Sequence, residues 1–328
     1  MKTVSFERYG GIEVLHLIDV DMPVPKENEV LIKVYAASLN DWDTGQSLSS
    51  PLFMRLFTGL LKPKPQFQRP GCDVAGIVES VGTEVDQLKA GDRVYGDLCV
   101  SGFRSFSEYV CVSENTLSRI PKGMSYEQAA CLPQAGQLAV QGLIDVGKLQ
   151  AGQRLLINGA GGGAGTIGVQ LAKAIGCEIT VVDKACKLDM LLALGADHAI
   201  DYEEKDFCTL NEQYDLIFDT RTTRSPFSHN KALAEGGQYV TVGGSMPRYL
   251  QSLILNPILS RVYGKSHRLV AQKPNKDLAL LGEMFEKGKL LPVIDSVHDL
   301  SDFRTAYERF LSARQNGNVV IVMNQTED

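Results

Sequence analysis

The sequence predicts an α/β protein in two parts, a β-rich first part followed by a doubly wound parallel sheet. Three observations carry this. Up to about Thr116, short β-prone runs are broken by glycine. From Arg154 onward, strand-like and helix-like segments alternate, and apolar strands alternating with helices imply a parallel sheet covered on both faces. The third is length, since 328 residues exceed what a single core usually holds.

In the first part, strands are expected over 29–36, 74–81, 92–95 and 106–112, with Gly71, Gly76, Gly82, Gly91 and Gly96 supplying turns or bends. After Pro121, the run Ser125-Tyr126-Glu127-Gln128 has the form of a capping box opening a buried helix. Strands then fall over 154–158, 178–183, 198–202, 215–220, 238–242 and 267–271, and helices over 166–175, 187–194, 226–234 and 275–286. Beyond Lys287 come a strand at 293–297, a helix opened by Ser301 and an apolar run at 319–323. These tail elements do not form another βα unit, and they are expected to return to the first part. The resulting divisions are 1–123, 124–272 and 273–328.

Composition narrows the function. A formal net charge of −6 argues against a nucleic-acid partner, which needs a clustered basic surface. No stretch approaches the ~20 apolar residues that span a bilayer, and the first residues lack the apolar core of a secretory signal. A cytoplasmic address and no membrane partner are expected. The seven cysteines (72, 99, 111, 131, 177, 186 and 208) are scattered and never spaced C-x-x-C, which writes neither a disulfide framework nor a zinc knuckle.

The stretch 155–173 carries the strongest chemical signal. Gly159, Gly161, Gly162, Gly163, Ala164, Gly165 and Thr166 stand where a strand should hand over to a helix. Glycines let the backbone turn tightly and approach a pyrophosphate, and the helix N-terminus holds the phosphate charge. Two registers satisfy the fingerprint, Gly163-x-Gly165-x-x-Gly168 and Gly159-x-x-Gly162-x-x-Gly165, and spacing leaves both open. Asp183 follows at the end of the next strand, placed for the adenosine ribose hydroxyls. That favours NADH, while Lys184 and Lys187 can offset or bind a 2′-phosphate, so the choice between NADH and NADPH stays open. Thr220, Arg221, Val242, Gly243 and Gly244 end later strands at the edge where dinucleotides lie.

Several runs together resemble the medium-chain dehydrogenase/reductases in their zinc-independent, quinone-oxidoreductase-like branch. These are residues 29–34 leading to Ala37-Ser38-Leu39-Asn40-Asp41-Trp42-Asp43, then Pro70-Gly71-Cys72-Asp73-Val74-Ala75-Gly76, Gly91-Asp92-Arg93-Val94-Tyr95-Gly96, the glycine loop, and Leu194-Gly195-Ala196-Asp197. The match covers essentially the whole chain. It implies a GroES-like β-barrel catalytic domain, a Rossmann domain inserted after it, a tail that rejoins the first, and an active site in the cleft between domains.

Zinc-dependent relatives hold their metal with a Cys near the Asn40 position, a Gly-His-Glu histidine and a third Cys or carboxylate. Here those places read Asn40, Gly71-Cys72-Asp73 and Cys131, so no metal is expected. The resemblance makes Asn40 the first candidate beside nicotinamide and substrate, with capping of a turn as its plainer role. Asp43 orients Asn40 or forms a turn, and Trp42 walls the pocket or packs. Leu138 stands where the family often has a nicotinamide-side Thr. Apolar stretches at 51–61 and 249–262 line a substrate pocket, support dimer contacts or pack in the core, and the strand near 267–271 is a candidate dimer seam.

The expectation is a metal-free, NAD(P)H-dependent oxidoreductase that reduces quinones, enones or other activated carbonyls, with solvent supplying the proton. The rivals are a zinc-type alcohol dehydrogenase and a nicotinamide-binding sensor or structural protein without turnover.

Overall fold

A computed structural model describes residues 1–47, 55–56, 58–244 and 246–323. The chain divides into two compact units. One comprises Met1–Gln134, Pro274–Glu286 and Pro292–Asp328, the other Ala135–Lys273 and Lys287–Leu291.

In the first unit, strands β1 (Lys2–Ser5) and β2 (His16–Asp19) pair as a short antiparallel ribbon that the glycine punctuation did not reveal. They are followed by β3 (Glu29–Ser38), β4 (Asp73–Val81), β5 (Arg93–Asp97), β6 (Tyr109–Ser113) and β7 (Ser118–Arg119). β3 is the hub. Along its length it pairs antiparallel with β4, at its start with β6 and at its end with a strand of the tail. Sharing one strand among three partners curls the sheet, and the curled interior is filled by Ile32, Val34, Val74, Val78, Val110 and Phe106. The strand expected from residue 106 begins only at Tyr109, because Phe103 and Arg104 take positive φ and Phe106 turns inward against Tyr307, with ring centroids 6.1 Å apart.

The second unit contains β8 (Arg154–Asn158), β9 (Glu178–Asp183), β10 (His198–Asp201), β11 (Tyr214–Asp219), β12 (Leu233–Thr241) and β13 (Ser266–Leu269). All pair parallel in the order β10-β9-β8-β11-β12-β13. The order reverses between β8 and β11, and such a reversal opens a crevice at the strands' carboxyl ends. β12 starts five residues before the expected 238, because the helix Pro226–Ala232 runs straight into it at Leu233. β13 lies at the sheet edge.

The tail supplies β14 (Ile294–Asp299), the helix Phe303–Leu311 and β15 (Asn318–Val322), all within the first unit. The first division falls at Gln134 rather than at residue 123. Ser125 and Gln128 do form a reciprocal capping box, but the helix they open stays with the first unit through the stack of Tyr126 on Tyr35 at 4.5 Å. Residues 287–291 cluster with the second unit, where a tail of the first was expected. Two glutamines clasp backbone there. The Gln141 side chain donates to Lys273 O at 2.9 Å and accepts from Lys273 N at 2.8 Å, and Gln170 makes the same exchange with Leu291.

Of the stretch 51–61, residues 51–54 and 57 lie outside the described residues. The stretch 249–262 falls in the helix Met246–Tyr263, which buries Leu259 and Ser252 and leaves Leu250, Ile254, Ile258 and Val262 exposed. Among the described residues, no helix is long and apolar enough to cross a membrane.

Two histidines sit inside the second unit. His229 is fully buried between the rings of Tyr239 and Phe207, neither ring nitrogen has a hydrogen-bond partner, and Nε2 lies 3.6 Å from Asp219 Oδ2. His267 pairs with Asn230. Burial lowers both pKa values, that of His267 to about 4, against an ordinary value of 6.5. The folded state therefore binds fewer protons than the unfolded chain once pH falls below 6.5. Stability is fully present above that point and is lost as pH falls toward 4, by up to ~1.4 kcal/mol per pH unit for each group. The melting temperature should drop between pH 6.5 and 4, and His229→Phe should flatten the drop. An unchanged slope in thermal melts across that range would exclude His229 as its source.

Candidate active site

β8 ends at Asn158 and the helix Gly163–Ile175 begins after a four-residue turn. Gly159 has φ +77°, a left-handed conformation open to glycine, and a Cβ there would meet Thr220 Oγ1 at 2.5 Å. Gly162 is the N-cap, and a Cβ on it would face open space, its nearest neighbour being Gly159 O at 3.9 Å. Gly165 lies so close to the turn that a Cβ would stand 2.4 Å from Ala160 O. At Gly168 a Cβ would make only ordinary contacts. The geometry thus follows Gly159-x-x-Gly162-x-x-Gly165, a choice the letters alone left open.

No side chain caps the helix. Its first-turn N–H groups, from Gly163, Ala164 and Gly165, have no intrahelical acceptor and form an anion-binding end. Thr166 does not join them. It is fully buried, and its hydroxyl donates to Gly163 O at 2.9 Å.

Asp183, at the end of β9, is held from several sides. Its Oδ2 accepts from Gly161 N at 2.7 Å, its Oδ1 accepts from Lys184 N at 2.9 Å, and Lys187 Nζ stands 3.7 Å away. Lys187 is itself buried. Burial lowers its pKa, Asp183 opposes that, and Arg221 and Lys184 add to it. A Cβ on Gly161 would strike the Lys187 chain at 2.4 Å, so this glycine lets lysine and aspartate close over the turn.

β11 delivers Thr220 and Arg221 to the same end of the sheet. The Thr220 hydroxyl donates to Asn158 O and Gly159 O, both at 3.0 Å, and Arg221 N donates to Asp219 Oδ1 at 3.0 Å. Val242, Gly243 and Gly244 follow β12. Thr222 N donates to Gly243 O, and Thr222 bridges to Gly244, whose φ of +137° suits glycine. Thr222, which spacing did not single out, thus ties the two loops together. The structure brings the cofactor candidates of the second unit to one edge, except for Thr166.

In the first unit, Asn40 is nearly buried and precedes the helix Asp41–Ser47. Asp43 is fully buried, accepting from Asn40 N at 2.8 Å and Gly71 N at 2.9 Å. It therefore holds the Asn40 backbone, and burial pushes its carboxyl up to about 7. The Asn40 side chain is held by Asp73, through Nδ2 to Oδ2 at 3.0 Å. Sequence reasoning weighed Asp73 only as a metal ligand. Trp42 is 42% exposed, which counts against a packing role.

Residues 26–122 match the alcohol dehydrogenase GroES-like domain family, and residues 194–321 match the zinc-binding dehydrogenase family. The chain is 34% identical over 98% of its length to a 2-methylene-furan-3-one reductase of Solanum lycopersicum, covering 79% of that protein. The chain belongs to the medium-chain dehydrogenase/reductase superfamily. Its place is the quinone-oxidoreductase-like branch. An NADPH-dependent alkenal/one oxidoreductase of Arabidopsis thaliana is 33% identical over 90% of this chain and 72% of its own. The structure of a quinone oxidoreductase from Coxiella burnetii superposes with a TM-score of 0.86 at 28% identity, covering 98% of this chain and 99% of that one. The fold is accordingly the family's α/β arrangement, a GroES-like unit and a Rossmann sheet.

The zinc in one family description does not suit the donors found here. Cys72 and Cys131 are buried thiols whose pKa values burial drives well up, and the Cys131 thiol donates to Glu127 O at 3.1 Å. Both Asp73 oxygens already accept N–H groups. Zinc needs deprotonated ligands converging on one point. Among the described residues, no group of three His, Cys, Asp or Glu is placed to do this.

The glycine turn separates two substitutions. Gly162→Ala adds a methyl to open space, so it should keep the wild-type melting temperature and weaken nicotinamide-nucleotide binding roughly tenfold. Gly165→Ala should lower the melting temperature, since its methyl meets backbone. Thermal-shift titration reads both, and full affinity in folded Gly162→Ala would place the phosphates elsewhere.

Proposed function

We propose that the protein is a metal-independent reductase of enones and quinones that draws its electrons from NADPH. The observation that carries this is the uncapped helix at Gly162–Gly165, set beside Asp183 where the strand order reverses. Gly159, Gly161 and the amides of Gly163, Ala164 and Gly165 would hold the pyrophosphate. Thr220 and Arg221 would flank it, and Val242, Gly243 and Gly244 would pass beside the nicotinamide end. Bound NAD(P)H supplies a hydride.

The preference for NADPH rests on charge. A backbone N–H already occupies each oxygen of Asp183, and Lys187 offsets its charge. Lys184, Lys187 and Arg221 together outweigh one carboxylate, which favours a phosphate over a bare hydroxyl pair. The relative named as NADPH-dependent points the same way.

Asn40, held by Asp43 and Asp73, and Trp42 are the residues we assign to the chemical step. The acceptor is a small electrophile, and solvent supplies the proton. Seven free cysteines fit a reducing compartment, and we read the address as cytoplasmic. The open edge at β13 is the surface we assign to a homodimer.

Absorbance at 340 nm with an α,β-unsaturated ketone and with a benzoquinone tests the reading. NADPH should be consumed with kcat/KM roughly tenfold or more above NADH, and Lys187→Ala should narrow that ratio. Failure of every enone and quinone to drive nucleotide oxidation would defeat the proposal.

A further inference from the structure

The helix Met246–Tyr263 packs on β13 and on the helix Pro226–Ala232, burying Ser252 and Leu259. On its opposite side Leu250, Ile254, Ile258 and Val262 follow one another at four-residue steps, which sets them along a single ridge. Each is 50% to 70% exposed, and Tyr263 at the helix end is exposed as well. From the helical rise the ridge is about 18 Å long. A helix that turns apolar side chains outward as well as inward is normally covered.

Charge indicates what covers it. Residues 220–276 hold nine lysines and arginines and a single acid, Glu235, in a chain whose net charge is −6. The charged residues of the helix are Arg248 and Arg261. Arg261 is exposed and stands seven residues after Ile254, two turns on along the same ridge. Arg248 donates to Gln251 Oε1 at 2.6 Å beside the start of the ridge. The neighbouring helix Pro226–Ala232 adds exposed Phe227 and Lys231, one turn apart, and has no acid. Lys265 does not contribute, since its Nζ turns inward onto Asn230 O and Leu233 O. Total charge and the lack of a spanning stretch bear on neither a local basic patch nor a surface contact.

We propose that this helix docks on an anionic lipid surface. It would lie in the plane of the headgroups, with Leu250, Ile254, Ile258 and Val262 among the upper acyl chains and Arg248 and Arg261 at the phosphates. Tyr263 suits that boundary, which accommodates both an apolar ring and a polar hydroxyl. A second copy of the chain fits less well. In an antiparallel twofold pair Leu250 meets Val262 and Ile254 meets Ile258, but Arg261 then faces the Gln251 that holds Arg248 of the other copy. In a parallel pair each arginine meets its own counterpart. The helix has no acid to relieve either clash. An acidic protein must be selected over its competitors, and the four ridge side chains can make no hydrogen bond to do so. A bilayer asks only for apolar side chains beneath cations.

Flotation of the full chain with vesicles tests this without nucleotide or electron acceptor, so it stands or falls apart from the catalytic reading. Wild type should bind phosphatidylcholine vesicles carrying about one third phosphatidylglycerol at low salt, and phosphatidylcholine alone roughly tenfold or more weakly. Ile254→Gln with Ile258→Gln removes apolar contact at constant charge, and Arg248→Gln with Arg261→Gln removes charge from an intact ridge. Each pair should weaken binding roughly tenfold and keep the wild-type melting temperature, since none of the four residues is buried. Ile258→Trp should add emission that shifts to the blue on the mixed vesicles.

Wild type that fails to float with the mixed vesicles overturns the proposal, as does binding that both pairs leave unchanged. A glutamine ridge that floats normally but turns a dimer into a monomer in light scattering overturns it too and assigns the ridge to a second copy. Binding of polyglutamate through the ridge, with no affinity for vesicles, assigns it instead to an acidic protein. Should the glutamine ridge lower the melting temperature, the arginine pair and the tryptophan shift decide.

Discussion

The approach of Gly165 to the backbone of Ala160 is the contact on which the nucleotide edge depends. Any side chain there would push the helix Gly163–Ile175 off the end of β8. The uncapped amides would then no longer stand beside Asp183. Parallel pairing does the rest, because β8, β9, β11 and β12 all end on the same side. Their terminal residues, Asn158, Asp183, Asp219 and Thr241, are buried, and bonds of Asn158 with Asp219, Asp183 with Gly161 and Thr241 with Thr222 link one strand end to the next. A chain of short polar contacts at the carboxyl ends thus gives the loops a fixed platform.

The first unit manages a different difficulty. Asp43, Asp73 and Asp97 are all fully buried, and removing carboxylates from water is costly unless they are neutralised or well bonded. Each is used as an acceptor for backbone amides: Asn40 and Gly71 on Asp43, Gln134 on Asp73, Cys99 on Asp97. Burial, with Asp97 next in strength, drives the Asp73 pKa well up, so the cluster retains a proton under conditions where exposed carboxyls have lost theirs. Acid groups serve here as rigid pins for turns whose N–H groups would otherwise be orphaned.

How far the sequence carried depends on the range of the interaction. The parallel sheet, the capping box at Ser125 and the glycine turn were legible because each is written in contiguous residues with a fixed period or spacing. Asp183 was found the same way, at the end of the next strand. The register of the glycines was not legible, since it turns on the sign of φ at Gly159 and on how near Gly165 comes to Ala160. The partnership of Asn40 with Asp73 spans 33 residues and exists only once β3 and β4 pair. Thr166 shows the converse: its position matched the loop, but the helix turned it inward.

The glutamine clasps bear on how the two units came to share one chain. Gln141 lies just after the second unit begins and Lys273 is where its main segment ends, and the paired bonds between them draw entry and exit together. A segment whose ends already meet can be spliced into a host loop without stretching it. The Rossmann part is in that sense a cassette that carries its own buckle.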